Sequence, residues 1–232
     1  MAYSARTVPP NFHQAAVADF DTAVRTCFEQ FTTLVPDNEQ WEQACLNTQT
    51  GGLGLRSLSQ HCSAAFLASR ASCTKLCREL DAAHTFHSPQ QAAPSPESQA
   101  TNTYNSSVGE SARLPHEPTA PLHQHSLSAA IDAHTFTRLT DQSTTTAARR
   151  AHLQLLSAHG AGLWLGVTPC KTAGLSVEPP LYVVMLQRWL RMQICPSDVF
   201  CPCCDGILDS YADHACVCCG GGDRTKRQGV DV

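Results

Sequence analysis

The chain has 232 residues, enough for one large or two small domains, and its 42% hydrophobic content is enough for a real core. A formal net charge of -4 excludes a protein that wraps nucleic acid by bulk electrostatics, so any such binding has to be local. Thirteen cysteines is an odd number, and those from Cys27 to Cys195 show no framework-like regularity. That excludes a secreted disulfide scaffold and makes metal the expected use of any cysteine cluster in a reducing compartment.

The opening "MAYSARTVPP" has no apolar stretch of the signal-peptide kind. The longest strictly apolar run, "LYVVML" from Leu181 to Leu186, is far too short to span a bilayer. The expected location is intracellular, in the nucleus or cytoplasm, with no membrane partner. From Asn11 to Leu34, Val17, Phe20, Val24, Cys27, Phe28 and Phe31 recur at spacings of three and four, which predicts a helix with one apolar face. A second helix is expected to begin at Asp37, whose side chain caps it while Gln40 reaches back in a capping box, with Trp41 and Leu46 on its buried side. "TGGLGLRS", Thr50 to Ser57, has to end it. A long helix then runs from about Ser57 to Leu80, where Ala64, Ala65, Ala68 and Ala71 let a neighbour approach closely.

From about His87 to Gln124 the composition turns to Ser, Pro, Gln, Thr and Asn, with little to bury, which predicts a disordered linker or insertion. Leu127 to Ala158 reads as helical, with an interruption at "DQSTTT". A glycine-hinged "HGAGLWLGVTP" follows. The last long helix starts at Pro179 or Pro180 and carries Leu181, Met185, Trp189 and Met192 along one stripe. The expected architecture is mainly α: helical segments 1–86 and 125–195 separated by the insertion 87–124, then a small irregular zinc-knuckle-like module at 196–227 and a tail at 228–232. Cys27, Cys45, Cys62, Cys73, Cys77 and Cys170 lie on or near apolar faces and read as small buried hydrophobes.

The dense chemistry sits in "CPCCDGILDSYADHACVCCGGGD", Cys201 to Asp223. Cys201, Cys204, His214 and Cys218 form a C-x2-C-x9-H-x3-C pattern, a Cys3His set suited to tetrahedral Zn2+. Cys203, Cys216 and Cys219 are neighbours able to replace a ligand in other arrangements. With four protein ligands the site would be structural, leaving no open place for a catalytic water. Asp213 is a candidate partner for the adjacent histidine ring, although neighbours in sequence often cannot reach each other's ring nitrogen. Zinc loss is expected to melt this module and leave the helices. Behind it, "GGGDRTKRQ" offers Arg224, Lys226 and Arg227 as phosphate contacts, although Asp198, Asp205, Asp209, Asp213 and Asp223 offset the basic residues nearby. No G-x-S-x-G elbow, G-x-x-x-x-G-K loop or H-E-x-x-H helix is present, so the chain is not expected to be an enzyme.

"CPCCDGILDSYADHACVCCGGGDRTKR" resembles the CCHC zinc-knuckle segment in the C-terminal region of non-LTR retrotransposon reverse-transcriptase polyproteins, between polymerase and restriction-like endonuclease. The ligand positions of that pattern fall on Cys201, Cys204, His214 and Cys218, and Asp209, Asp213, Gly221, Gly222, Asp223 and Arg224 match as well. "RTVPP" at 6–10, "WEQACLNTQTGGLGLRS" at 41–57, "AAFLASR" at 64–70 and "GAGLWLGVTP" are similar to the helical region after the polymerase palm. Two departures stand out: Ala212 where the pattern has glycine, and Gln228 where a histidine commonly follows. The chain contains neither the paired aspartates of the polymerase nor the carboxylate and lysine set of the nuclease, and so is expected to begin after one active site and stop before the other.

The resemblance implies a non-catalytic fragment of such a protein, a thumb or linker region whose structural zinc site assists RNA or DNA binding alongside other parts of the polyprotein. The parent would be an RNA-directed DNA polymerase. The alternative is a domesticated zinc-binding module that contacts protein without nucleic acid.

Overall fold

The structure is a computed structural model, and it describes residues 3–86, 94–115, 121–218 and 220. The described chain is mainly α-helical. Its elements in order are α1 (Ser4–Thr7), α2 (Gln14–Thr32), α3 (Asn38–Cys45), α4 (Leu58–Leu80), α5 (Pro96–Ser106), α6 (Gln124–Leu139), α7 (Ala147–Leu156), α8 (Pro179–Trp189), β1 (Val199–Phe200), β2 (Ile207–Leu208) and α9 (Asp213–Val217). No helix among the described residues is long and apolar enough to cross a membrane.

Helix α4 is the central post. Its first half, His61 to Ala68, is wholly buried, and the alanines there let α1, α2, α5 and α6 close around it. Its N-terminus is capped twice. Ser57 Oγ accepts the Gln60 N–H, while the Asp21 carboxylate of α2 accepts from Ser57 Oγ and from the N–H groups of Leu58 and Ser59 at 2.7–3.0 Å. A carboxylate at that end satisfies orphan donors and suits the helix dipole, so one residue both starts α4 and docks α2 against it.

The α2 stripe is only partly used. Val17 is buried and Phe28 packs against Trp41, but Phe31 is 89% exposed and Phe20 and Cys27 also face solvent. The spacing that forms the helix therefore outruns the surface available to cover it. Cys27 and Cys73 likewise depart from the expectation of buried small hydrophobes, whereas Cys45 and Cys62 meet it; burial pushes the Cys45 thiol up to about 12.

Helix α3 opens with the expected capping box, Asp37 Oδ1 accepting the Gln40 N–H at 2.8 Å and the Gln40 side chain accepting the Asp37 N–H at 2.9 Å. The following loop folds back on α3, with the Leu53 and Leu55 N–H groups both donating to Ala44 O. Gly52 passes so close that a Cβ there would lie 2.0 Å from Leu46 O. Any other residue would force the loop open.

Part of the segment expected to be a disordered insertion is structured. Ser95 caps α5, Pro96 takes its first position, and Ala100, Tyr104 and Val108 pack into the core formed with α4 and α6. Tyr104 is 1% exposed, and buried Glu97 pairs with Arg70 at 3.0 Å. Apolar residues four apart make a narrow stripe that one helix face can bury even in a polar composition. Residues 87–93 and 116–120 of the same segment lie outside the described residues.

The interruption at "DQSTTT" is present between α6 and α7, where Asp141 Oδ1 accepts the Ser143 N–H and hydroxyl. On α6, buried Asp132 takes Arg56 at 2.9 Å and His61 at 3.4 Å. A second core gathers Trp189 of α8 and the following Leu190 with Ala44, Trp41 and Trp164. The buried side of α8 is Leu186 and Trp189, continued by its C-cap Leu190, while Leu181, expected on that stripe, is 56% exposed. Trp189 is the knot of this core. Its indole N–H donates to Gly52 O at 3.2 Å, and its carbonyl accepts from Gln43 Nε2 at 2.9 Å and from His152 Nε2 at 3.1 Å.

Candidate metal centre

Strands β1 and β2 pair antiparallel, Val199 opposite Leu208 and Phe200 opposite Ile207, and the turn joining them carries Cys201 and Cys204. The Cys201 N–H donates to Gly206 O at 2.9 Å, which closes the turn. Its two thiols are thereby brought to one side. Gly206 is pressed under the histidine: a Cβ there would lie 2.6 Å from His214 Cε1 and 3.3 Å from Cys204 Sγ. Only glycine lets the ring approach the hairpin this closely.

The other two ligands sit on α9. His214 is its second residue and Cys218 its C-cap, with the Cys218 N–H on His214 O at 2.8 Å, so the four-residue spacing puts both on one side. Asp209 starts this short helix by accepting the N–H groups of Tyr211, Asp213 and His214 at 3.0, 3.1 and 2.8 Å. Burial pushes its carboxyl up, but these three donors outweigh burial and hold it below the ordinary value. Ala212 precedes α9 with φ 58° and ψ 30°, a left-handed conformation that glycine favours and alanine resists.

One ligand atom from each of Cys201, Cys204, His214 and Cys218 lies within 4.8 Å of all the others. The Cys201–Cys218 and Cys204–Cys218 sulfurs are 3.6 Å apart, and Cys204 Sγ is 3.2 Å from His214 Nε2. Tetrahedral ligation with metal–sulfur bonds of about 2.3 Å needs sulfurs about 3.8 Å apart, so a small divalent ion fits this set with little adjustment. Each sulfur also takes a backbone N–H from two residues on: Cys203 to Cys201 at 3.4 Å, Gly206 to Cys204 at 3.4 Å and Gly220 to Cys218 at 3.5 Å. Such donors stabilise thiolates.

The thiols respond unequally. The Cys203 N–H leads the groups that hold Cys201 down to about 6, overcoming burial. At Cys204 the Gly206 N–H pulls the same way, yet burial and the neighbouring Cys218 and Cys201 push it up to about 11. Crowded thiols cannot all ionise without a cation between them, which is the charge a metal supplies.

Cys203 and Cys216 are exposed and stand outside the cluster, and Cys219 lies outside the described residues. So do Arg224, Lys226 and Arg227, the residues expected to meet phosphate. Asp213 departs from its expected role beside the histidine ring. It turns to α8, where Arg191 Nη1 and Nη2 reach its two oxygens at 3.3 and 3.0 Å and Arg188 Nη1 reaches Oδ1 at 3.2 Å. Foremost through the Arg191 hydrogen bonds, its carboxyl is held below the ordinary value. The reach of Arg188 and Arg191 across more than twenty residues to α9 has no sequence signature.

No protein-family model matches this chain, no curated protein matches it, and no solved structure matches it. What the fold and site define is a mainly helical chain with a C-terminal Cys3His cluster that could hold a metal ion.

Proposed function

We propose that the chain is a non-catalytic accessory segment of a retrotransposon reverse-transcriptase protein, whose Cys201, Cys204, His214 and Cys218 hold a structural Zn2+ and whose C-terminal module assists RNA or DNA binding. The observation that carries the metal part is the convergence of three sulfurs and one imidazole nitrogen within 4.8 Å, two from the β1–β2 turn and two from α9 and its C-cap. Zinc is the ion of choice for such a closed thiolate and imidazole set, and a fully ligated ion stiffens the module without offering a site for chemistry. A reducing interior, where thiols stay free to hold a metal, is the compartment that suits this reading. The nucleic-acid part rests on the sequence resemblance and on Arg224, Lys226 and Arg227.

Two measurements on the reduced full chain test this. Elemental analysis is expected to find one zinc per chain. Binding to single-stranded and structured RNA and DNA is expected to weaken steeply with salt, with a log–log slope of about -0.7 to -0.9 per phosphate contacted. Zinc-free protein sinks the metal reading, and binding indifferent to salt sinks the nucleic-acid reading.

The surface of the hairpin favours the second reading, a module that docks on protein. From Met192 to Cys218 the chain has four aspartates and no lysine or arginine, and Phe200 stands 85% exposed beside the exposed Ile207. A salt series that finds no oligonucleotide binding, with zinc bound, supports that reading.

A further inference from the structure

A short charged link joins the Cys3His cluster to the tryptophan core. Resting on the metal reading above, we infer that metal loading is transmitted through Asp213, Arg188 and Arg191 to that core, making the helical body's stability depend on the ion. The link begins at a strained residue. Helix α8 ends in a Schellman arrangement, with the Met192 N–H on Gln187 O at 2.7 Å and the Arg191 N–H on Arg188 O at 3.0 Å. Arg191 occupies the left-handed position, φ 52°, where glycine is the usual residue. An arginine is disfavoured there, and contacts made by its side chain offset that cost.

Asp213 does the holding. The carboxylate takes the Arg191 guanidinium in a two-pronged grip, the guanidinium also lies 4.7 Å over the Tyr211 ring, and Arg188 Nη1 adds bonds to Ala212 O and Tyr211 O at 3.1 and 3.3 Å. Asp213 is the residue next to the ligand His214, on a helix of five residues. So short a helix has little stability of its own; Asp209 holds its start, and the ion would tie His214 and Cys218 to the hairpin turn.

On the other side, the link runs straight into the core. Arg191 O accepts from Gln40 Nε2 at 3.3 Å, and the Trp189 carbonyl two residues earlier is the acceptor shared by Gln43 and His152. Release of the ion therefore loosens α9 against its remaining Asp209 and Arg188 bonds, weakens the grip on Arg191 and loosens the end of α8 where Trp189 is seated. The chain's three tryptophans, Trp41, Trp164 and Trp189, all belong to this cluster, so their emission reports on it alone.

The test uses the reduced full chain, chelated and then titrated with Zn2+ alone, with zinc content measured by elemental analysis and unfolding followed by tryptophan emission. Zinc loading is expected to raise the Tm of that signal by about 4 °C. Arg191→Gly supplies the residue the left-handed position favours while deleting the guanidinium. It is expected to bind zinc and to shrink the zinc-induced shift below about 1 °C. Asp213→Asn is expected to do likewise. Stoichiometric zinc with no shift in the wild-type chain, or a full shift in Arg191→Gly, overturns the coupling and leaves the metal site standing. Absence of bound zinc overturns both.

Discussion

Replacing Ala212 by glycine is expected to tighten metal binding, because the residue before α9 sits at φ 58° and ψ 30°. A residue with a Cβ is disfavoured there by about 1–2 kcal/mol relative to glycine. Glycine gives back about 0.4–1 kcal/mol through the extra freedom of its unfolded chain, leaving a net gain of about 0.8 kcal/mol at the midpoints of the two ranges. The neighbouring hydrogen bond survives, since Arg188 binds the Ala212 carbonyl and not its side chain. In a module this small, folding and metal binding are one equilibrium, so the gain appears as an affinity about two- to five-fold higher. Competition between the reduced chain and a chromophoric chelator measures it. An Ala212→Gly chain that binds zinc no better than wild type would refute the argument that backbone strain at this position limits the site.

Tyr104→Ala, in the segment whose composition reads as disordered, is expected to lower stability by about 3–5 kcal/mol in urea melts, as for other large core deletions; a loss below about 1 kcal/mol would mean α5 does not belong to the core. His152 gives a pH dependence. Burial holds its pKa below the ordinary 6.5, so the folded state resists a proton that the unfolded chain accepts. Its stability contribution is present above 6.5 and declines as pH falls toward the lowered folded value. Thermal melts of the zinc-loaded chain between pH 5 and 7 are therefore expected to be flatter for His152→Gln than for wild type, about neutral pH being the common reference. Identical slopes would remove His152 from the account.

Local signals were legible where the cause is local. The capping box at Asp37 and Gln40 and the break at "DQSTTT" depend on atoms within a few residues, and the structure has both. The four residues picked out by ligand spacing are also the ones whose donor atoms converge, because a C-x2-C turn and a four-residue step on a helix fix geometry over short distances. Burial was harder to read. The apolar stripe of α2 states which face would be covered, not whether a neighbour reaches it, and Phe31 is left in solvent. In α5 the error ran the other way: average polarity hid the Ala100, Tyr104 and Val108 spacing that α4 and α6 enclose. Asp213 shows the same limit in the site. Adjacency to His214 suggested one partner, whereas its actual partners, Arg188 and Arg191, lie on another helix.

The thiols sort the chain into reactivity classes. Cys27, Cys73, Cys203 and Cys216 are exposed, whereas Cys45 and Cys62 are buried, with burial raising both pKa values. A maleimide meets the first group at once and the second only on unfolding. A cation in the cluster would act as a protecting group for Cys201, Cys204 and Cys218. The adduct mass on an intact chain thus reads two things separately: whether the body is folded, and whether the centre is filled.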